Sequence, residues 1–501
     1  MSALVAGVLL GISFLPGPFG FLAWFALIPL FDALEARIKS GASGASLFRL
    51  GYAFGGAFFL IGMHWIALLS EVAITVPWLK YPAWIAAAAY LALYPGLAVW
   101  LAGILSRRSR VPLAWVVPFA FLAVEELRAS GEMGFPWFQP GYTQHAYPQV
   151  VQLASLGSVT LVTLWLFGVN ALLWRAWRGG SRVPSLAGAV LLLVLPWLWG
   201  QRALDAAPRT PGPAVALIQG NIPGAMKWSG KHEKEILDAF LQLSSQAAAD
   251  SLRPVLAIWP ETATGTFLRR QLDQAIEVVE FAGRSGLPVF SGFPDYEVGQ
   301  DGVVRYLNAA GILSPGSQTR AIYAKRHLVP FGERMPFQWL IPALGKLELG
   351  QAEWTPGKKA VLFESGAGKF STLICFESIF PDLAREDVRS GARWLVNITN
   401  DEWFGNSAAL YQHAAMANFR AVENHVPLAR CANTGLTELI DANGRVTHAL
   451  PVFQPGVLVG RLGVPGVPTL FGRFGDWPGV LAGAVVLVLI VLALRRLPAP
   501  E

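Results

Sequence analysis

The chain has 501 residues, 53% of them hydrophobic and only 14% charged, with a mean hydropathy of +0.44. Ordinary soluble domains carry about 25% charged residues, so these values exclude a wholly aqueous globular protein. The net charge of +6 does not signal nucleic acid, because residues 201–477 hold 26 basic and 26 acidic side chains. Phosphate binding needs basic clusters on a folded face, and the excess lies instead in the apolar remainder. Two cysteines, Cys375 and Cys431, supply neither a disulfide framework nor a Cys-rich zinc site.

In chain order, seven apolar segments precede residue 210, at roughly 2–15, 18–35, 46–69, 82–106, 111–129, 151–174 and 184–200, and an uncharged eighth runs over Pro478–Leu494. A helix crosses a bilayer with about 20 apolar residues. The expectation is therefore a polytopic α-helical membrane domain of eight transmembrane helices, seven within 1–209 and one at 478–495, around a soluble domain at 212–465. The first segment has no Lys or Arg before it and no A-x-A-like site after it, so it reads as an uncleaved anchor.

Arginine and lysine set the orientation. Arg37, Lys39 and Arg49 follow the second segment, Arg107, Arg108 and Arg110 the fourth, and Arg175, Arg178 and Arg182 the sixth, whereas the alternate connections carry only Lys80 and Arg128. The amino terminus is expected in the cytoplasm and the soluble domain on the opposite side, periplasmic in a bacterium. The connection from Glu125 to Pro148 contains GFPWFQPGYTQ (134–144). Two readings stay open for it: an aromatic interfacial belt, or a non-helical loop at the entrance to the soluble domain.

From Ala214 short apolar strands alternate with amphipathic helices. Strand candidates are 214–220, 254–261, 287–293, 370–376 and 394–400, and Ile236, Phe240, Leu243 and Ala247 line one helical face. This alternation predicts an α/β fold. The seven histidines are scattered and no H-E-x-x-H occurs, so no metal site is expected.

Three polar residues sit at the ends of apolar runs: Glu261 after VLAIWP, Lys325 in IYAKRHLVPFGE, and Cys375 after STLI, with separations of 64 and 50 residues. Strand ends in an α/β sheet are where side chains converge in a crevice. There a glutamate can take the thiol proton, a lysine can stabilise thiolate and oxyanion, and the cysteine can attack a carbonyl. Singly, each has a plain structural explanation, and only the combination points to chemistry. Cys431, in the strand-like LARCANTGL, reads as buried packing.

The blocks WPET (259–262), YAKRHLVPFGE (323–333), LICFES (373–378) and NITNDEWFG (397–405), followed by QHAAMANFRAVEN (412–424), resemble those of the nitrilase (carbon–nitrogen hydrolase) superfamily. The flanking apolar segments, GFPWFQPGYTQ and LVPFGERMPF narrow the resemblance to the apolipoprotein N-acyltransferase family, over essentially the whole chain. The resemblance implies an αββα sandwich and a two-step acyl transfer without a cofactor. Cys375 would take an acyl chain from a membrane phospholipid as a thioester. The α-amine of a diacylglyceryl-modified N-terminal cysteine on an apolipoprotein would then accept it. Glu261 matches the general base, Lys325 the oxyanion stabiliser, Glu333 a second glutamate near the site, Glu377 an acidic position after the nucleophile, and Trp228 a loop tryptophan associated with substrate. Phe376 stands where many relatives have tyrosine, leaving its backbone N–H as an oxyanion donor.

The apolar run PFQWLIPALGKLELG (336–350), broken by Pro336 and Pro342 and carrying Trp339, is expected to form a mobile arm that meets lipid beside the active site. Two other readings are weighed: a membrane-tethered amidase, in which water replaces the amine, and a transporter or scaffold. The apolar segments carry few charges away from their ends, which argues against transport.

Overall fold

The computed structural model describes residues 1–70, 76–179, 181–206, 210–316, 321–341, 343 and 353–495. Six of its helical stretches are long and apolar enough to cross a membrane: Pro18–Lys39, Gly44–Leu68, Pro77–Ser109, Ala154–Trp177, Arg182–Asp205 and Trp477–Leu494. The sequence suggests eight. The other two segments form shorter helices, Ser2–Ile12 of 11 residues and Leu113–Ala129 of 17. Gly17, with φ of +116°, and the prolines beside it separate the first helix from the second apolar segment. That second segment is itself divided, with a 3-10 turn over Pro18–Trp24 before the α-helix Ile28–Lys39. Close helix packing rests on small residues: a Cβ on Gly11 would lie 2.8 Å from Ile61 Cβ, and one on Gly55 would lie 2.9 Å from Pro95 Cγ.

Between the helices Arg182–Asp205 and Trp477–Leu494 the described residues form twelve strands in two six-stranded sheets. The first sheet contains β1 (Ala214–Gln219), β2 (Ala257–Ile258), β3 (Val289–Val298), β4 (Val304–Leu313), β5 (Ile322–Ala324) and β12 (Gly456–Arg461), in the order β12-β1-β2-β3-β4-β5. The second contains β6 (Phe363–Ser365), β7 (Gly368–Ile374), β8 (Trp394–Thr399), β9 (Leu428–Ala432), β10 (Glu438–Ile440) and β11 (Val446–Ala449), in the order β11-β10-β9-β8-β7-β6. The central trios β1-β2-β3 and β7-β8-β9 are parallel, and the outer strands are antiparallel.

Leu217, Ile258 and Phe290 of the first sheet share one core cluster with Phe370, Val396 and Cys431 of the second, so the sheets pack face to face. The outer face of the first sheet packs on the helices Glu233–Ala248 and Leu272–Ser285, and that of the second on Pro381–Arg389 and Ala408–Asn424. The layers are αββα, and the apolar stripe Ile236, Phe240 and Ala247 is buried as the sequence predicts. The strands with continuous apolar runs are the buried parallel ones, since a sheet covered on both faces leaves no polar alternation.

The connection at 134–144 is a series of 3-10 turns with Trp137, Phe138, Tyr142, Thr143 and Gln144 buried. It is a domain joint rather than an exposed aromatic belt. Trp137 Nε1 donates to Gln412 Oε1 at 2.9 Å, and Gln412 Nε2 donates to the carbonyls of Phe14 (3.0 Å) and Gly62 (3.3 Å). Nearby, Arg420 donates to Tyr142 Oη at 2.9 Å, and Ser158 Oγ donates to Glu423 Oε1 at 3.0 Å. One helix of the α/β domain, Ala408–Asn424, therefore supplies a large share of the polar grip on the apolar segments.

Replacing Gln412 with leucine would strand the Trp137 indole N–H and two carbonyls in the buried joint. Each buried group left unpaired costs about 1–3 kcal/mol. Gln412→Leu is expected to lower the thermal midpoint of the detergent-purified protein, read by tryptophan fluorescence, while an exposed control such as Gln300→Leu leaves it unchanged.

Candidate active site

The chain turns at three strand ends bring the candidate residues together. Glu261 follows β2 by three residues, Lys325 follows β5 directly, and Cys375 follows β7 directly. Two of them come from one sheet and the third from the other, so the site exists only because the sandwich closes. All three are buried. Lys325 Nζ donates to Glu333 Oε1 at 2.8 Å and to Glu261 Oε1 at 3.4 Å. Asn308 Nδ2 donates to Glu261 Oε1 at 2.7 Å, and the Asn400 N–H donates to Glu261 Oε2 at 3.0 Å. Glu333 Oε2 accepts the Val329 N–H at 2.8 Å.

Burial works against the Lys325 ammonium, but the carboxylates of Glu333 and Glu261 outweigh it and hold its pKa above the ordinary lysine value. Burial pushes the Cys375 thiol up, and the Glu261 charge adds to this while Lys325 opposes it. At rest the site thus holds a protonated thiol and a charged ammonium near the Glu261 side chain. That is the starting state for general-base delivery of a sulfur nucleophile.

Cys375 has φ of +51°, a left-handed conformation at the start of the 3-10 turn Cys375–Ile379. Its surroundings fix that turn. Glu377, fully buried, accepts hydrogen bonds from the N–H groups of Ile374 (2.7 Å), Arg326 (2.6 Å) and His327 (3.1 Å) and from Tyr323 Oη (2.7 Å). It ties the lysine loop to the cysteine turn and is a positioning group. Burial raises its pKa, against the pull of the Ile374 N–H and Arg326. His413 Nε2 lies 3.1 Å from the Cys375 carbonyl oxygen and Nδ1 lies 3.0 Å from Asp401 Oδ1, while Arg430 donates to Asp401 Oδ2 at 2.7 Å. The Phe376 ring stacks on Phe135 of the domain joint, with centroids 6.3 Å apart.

The structure therefore gathers Glu261, Lys325, Glu333, Cys375, Phe376 and Glu377. It leaves two predicted residues at the periphery: Trp228 ends the short helix Gly224–Lys227 and is exposed, and Trp339 is exposed to 70%. Leu340 and Ile341 are exposed beside Trp339, while residues 342 and 344–350 of the expected arm lie outside the described residues. The Phe337 N–H donates to Glu132 Oε2 at 2.6 Å, which fastens this stretch to the end of the domain joint.

Asn308 is not singled out by the sequence, and Tyr323 and His413 enter it only as members of the blocks YAKRHLVPFGE and QHAAMANFRAVEN. Asn308 has one available signal, a polar side chain in the middle of the strand LNAAGIL, where β propensity disfavours it. Cys431 is buried, with Sγ donating to the carbonyl of Ile258 at 3.2 Å, and is packing between the sheets.

Comparison with known proteins agrees with this architecture. Residues 6–172 match the family described as the apolipoprotein N-acyltransferase N-terminal domain, and residues 214–467 match the carbon–nitrogen hydrolase family. The apolipoprotein N-acyltransferase of Geobacter metallireducens is 36% identical over 99% of this chain and 95% of its own length. That of Azotobacter vinelandii is 33% identical over 99% of this chain and 94% of its own, and that of Rhodopseudomonas palustris is 30% identical over 98% and 95%. With both domains matched in order and relatives aligned from end to end, the chain belongs to the apolipoprotein N-acyltransferase family, as a bacterial membrane enzyme.

Proposed function

We propose that the chain transfers an acyl group from a membrane phospholipid, through a thioester on Cys375, to the α-amine of the diacylglyceryl-cysteine that begins an apolipoprotein. The observation that carries this reading is the convergence of Glu261, Lys325 and Cys375 in a buried site on a domain clamped to apolar helices.

In the first step Glu261 takes the Cys375 proton as Sγ attacks the ester carbonyl. The oxyanion faces Lys325 Nζ and the Phe376 N–H. Collapse breaks the ester C–O bond, the leaving alkoxide takes the proton from Glu261, and a lysophospholipid departs. In the second step the neutral amine attacks the thioester carbonyl while Glu261 accepts its proton. The C–S bond breaks, and the proton returns to sulfur. Thioester chemistry stores the activation, so no cofactor is needed. Water in place of the amine would make the enzyme an amidase-like hydrolase. The clamp to the membrane helices favours the lipid-borne amine.

The arginine-rich connections support a cytoplasmic amino terminus and a periplasmic α/β domain on the bacterial inner membrane. In this reading residues 1–209 form the membrane domain, 212–465 the catalytic domain and 478–495 a returning helix, with the two shorter helices, Ser2–Ile12 and Leu113–Ala129, completing a set of eight. Trp228 borders the substrate entrance. Trp339, Leu340 and Ile341 present consecutive apolar side chains outward, as a segment resting on lipid would.

Mass spectrometry after incubation with phospholipid vesicles should find an acyl adduct on wild type and on Cys431→Ala but none on Cys375→Ala. An adduct lost with Cys431 alone overturns the assignment. Glu261→Gln should slow adduct formation by about 10²–10⁴-fold, the usual worth of a general base. Lys325→Ala should slow it by about 10²–10³-fold, as for a lost oxyanion donor.

In cells carrying a cysteine-free variant, a reporter cysteine at Ser40 should be shielded from an impermeant thiol reagent and one at Ser251 should react. The reverse pattern overturns the orientation. Replacing both Trp339 and Leu340 with serine should slow acylation from vesicles while Cys375 keeps its reactivity toward a small thiol reagent; an unfolded double variant would make the segment core.

A further inference from the structure

Near Glu261 lies a second lysine that the triad does not use. Lys227 is buried, and among the described residues its Nζ has no hydrogen-bond partner. Its stem is cradled by the loop that carries the base: Gly265, at φ +72°, comes so close that a Cβ there would lie 2.6 Å from Lys227 Cγ. The carboxylates of Glu261 and Glu402 both act on its charge, yet burial outweighs them and pulls its pKa down to about 8. Glu402 is half satisfied. Its Oε1 accepts the Gly224 N–H at 2.8 Å, whereas its buried Oε2 is likewise without a partner among the described residues. Each residue is followed by an exposed tryptophan, Trp228 at 49% and Trp403 at 40%.

A buried donor near the general base, and a buried acceptor near that donor, are both unmet among the described residues. A lone anion such as a phosphate is poorly served there, because Glu402 and Glu261 would repel it. A neutral group with one acceptor and one donor fits the pair. The first peptide group of an acceptor chain is such a group, and covalent geometry places its C=O and the next N–H within a few ångströms of the α-amine that must reach Glu261.

We propose that Lys227 and Glu402 seat this peptide group, Lys227 Nζ donating to the carbonyl oxygen of the acceptor's first residue and Glu402 Oε2 accepting the N–H of its second. This rests on the acyl-transfer reading and adds to it a way of telling a lipoprotein terminus from any other lipid amine. The tryptophans frame the entrance, where an amphipathic ring suits a boundary between lipid and water.

The test is a single-turnover assay on the full-length enzyme, acylated beforehand on Cys375 from phosphatidylethanolamine–phosphatidylglycerol vesicles. One acceptor is an S-diacylglyceryl-cysteinyl-serine peptide. The other is S-diacylglyceryl-cysteamine, which keeps the amine and the lipid but lacks the carbonyl and the amide. Wild type should acylate the peptide about 10- to 100-fold faster, the effect of a hydrogen bond to a charged group. In Lys227→Met and in Glu402→Gln that preference should collapse, with transfer to the peptide falling about tenfold more than transfer to the cysteamine.

Equal rates for the two acceptors in wild type overturn the proposal without reference to any variant, so a misfolded mutant cannot protect it. A preference that survives both substitutions overturns it as well. Wild type that loses its acyl group only to water overturns the acyl-transfer reading itself, and the peptide seat with it.

Discussion

Everything in the α/β domain is arranged around one difficulty, which is holding a buried ammonium against two glutamate side chains with little access to water. Desolvating an ion costs several kcal/mol, and attraction offsets it only when geometry is good and the remaining lone pairs are satisfied. Lys325 meets this condition between Glu333 and Glu261. The carboxylates meet it through Asn308 on β4, the Asn400 N–H after β8 and the Val329 N–H of the lysine loop. Those donors come from both sheets. The charges can thus be satisfied only after the sandwich has closed, and the site and the fold are one cooperative unit. The proposed reaction respects the same condition, because moving the thiol proton to Glu261 would turn one carboxylate neutral as one thiolate appears. The buried charge would be unchanged, and Lys325 would face a total of two negative groups throughout.

The second constraint is mechanical. Gln412 and His413 are neighbours on the helix Ala408–Asn424, so their side chains point about 100° apart. One reaches the carbonyls of Phe14 and Gly62 in the apolar helices, and the other reaches the carbonyl of Cys375. A single rigid element therefore fixes the nucleophile's turn relative to the membrane frame. The joint at 134–144 stacks against both, with Trp137 over His413 at 5.3 Å and Phe135 over Phe376 at 6.3 Å. A loop rich in proline and aromatic residues suits this role, since it buries large area while having little conformational freedom to lose.

The legible parts of the sequence are those where one physical cause dominates. β1, β3, β7 and β8 stand out because strands buried on both faces are apolar runs. β2 shrinks to Ala257–Ile258 within its predicted run because Pro254 and Pro260 cannot donate to a ladder. β4, β10 and β11 leave no such mark: β4 begins with exposed Val304 and Tyr306, all of β11 is exposed, and β10 is only three residues long. Hydropathy overstates helix length where apolar composition continues past a break, as at residues 25–27 within the segment 18–35, because it does not register a turn. The triad is visible because three reactive residue types each close an apolar run. Asn308 and His413 are not, since a hydrogen bond between elements far apart in the chain leaves no spacing in the sequence.

The proposed triad by itself does not choose between an amine and water, because both would attack the same thioester with the same base. Selection has to come from the groups around Glu261. Lys325 donates to it, while Lys227 lies near it and near Glu402, with a donor and an acceptor unmet among the described residues. A site that must hydrogen-bond its proper partner rejects one that cannot, because buried polar groups left unpaired cost more than an apolar mismatch does. Water is small enough to reach the thioester but brings neither the carbonyl nor the lipid anchor that would hold it in line. The demand for polar pairing that keeps Lys325 charged thus extends one layer of residues outward, into the choice of acceptor.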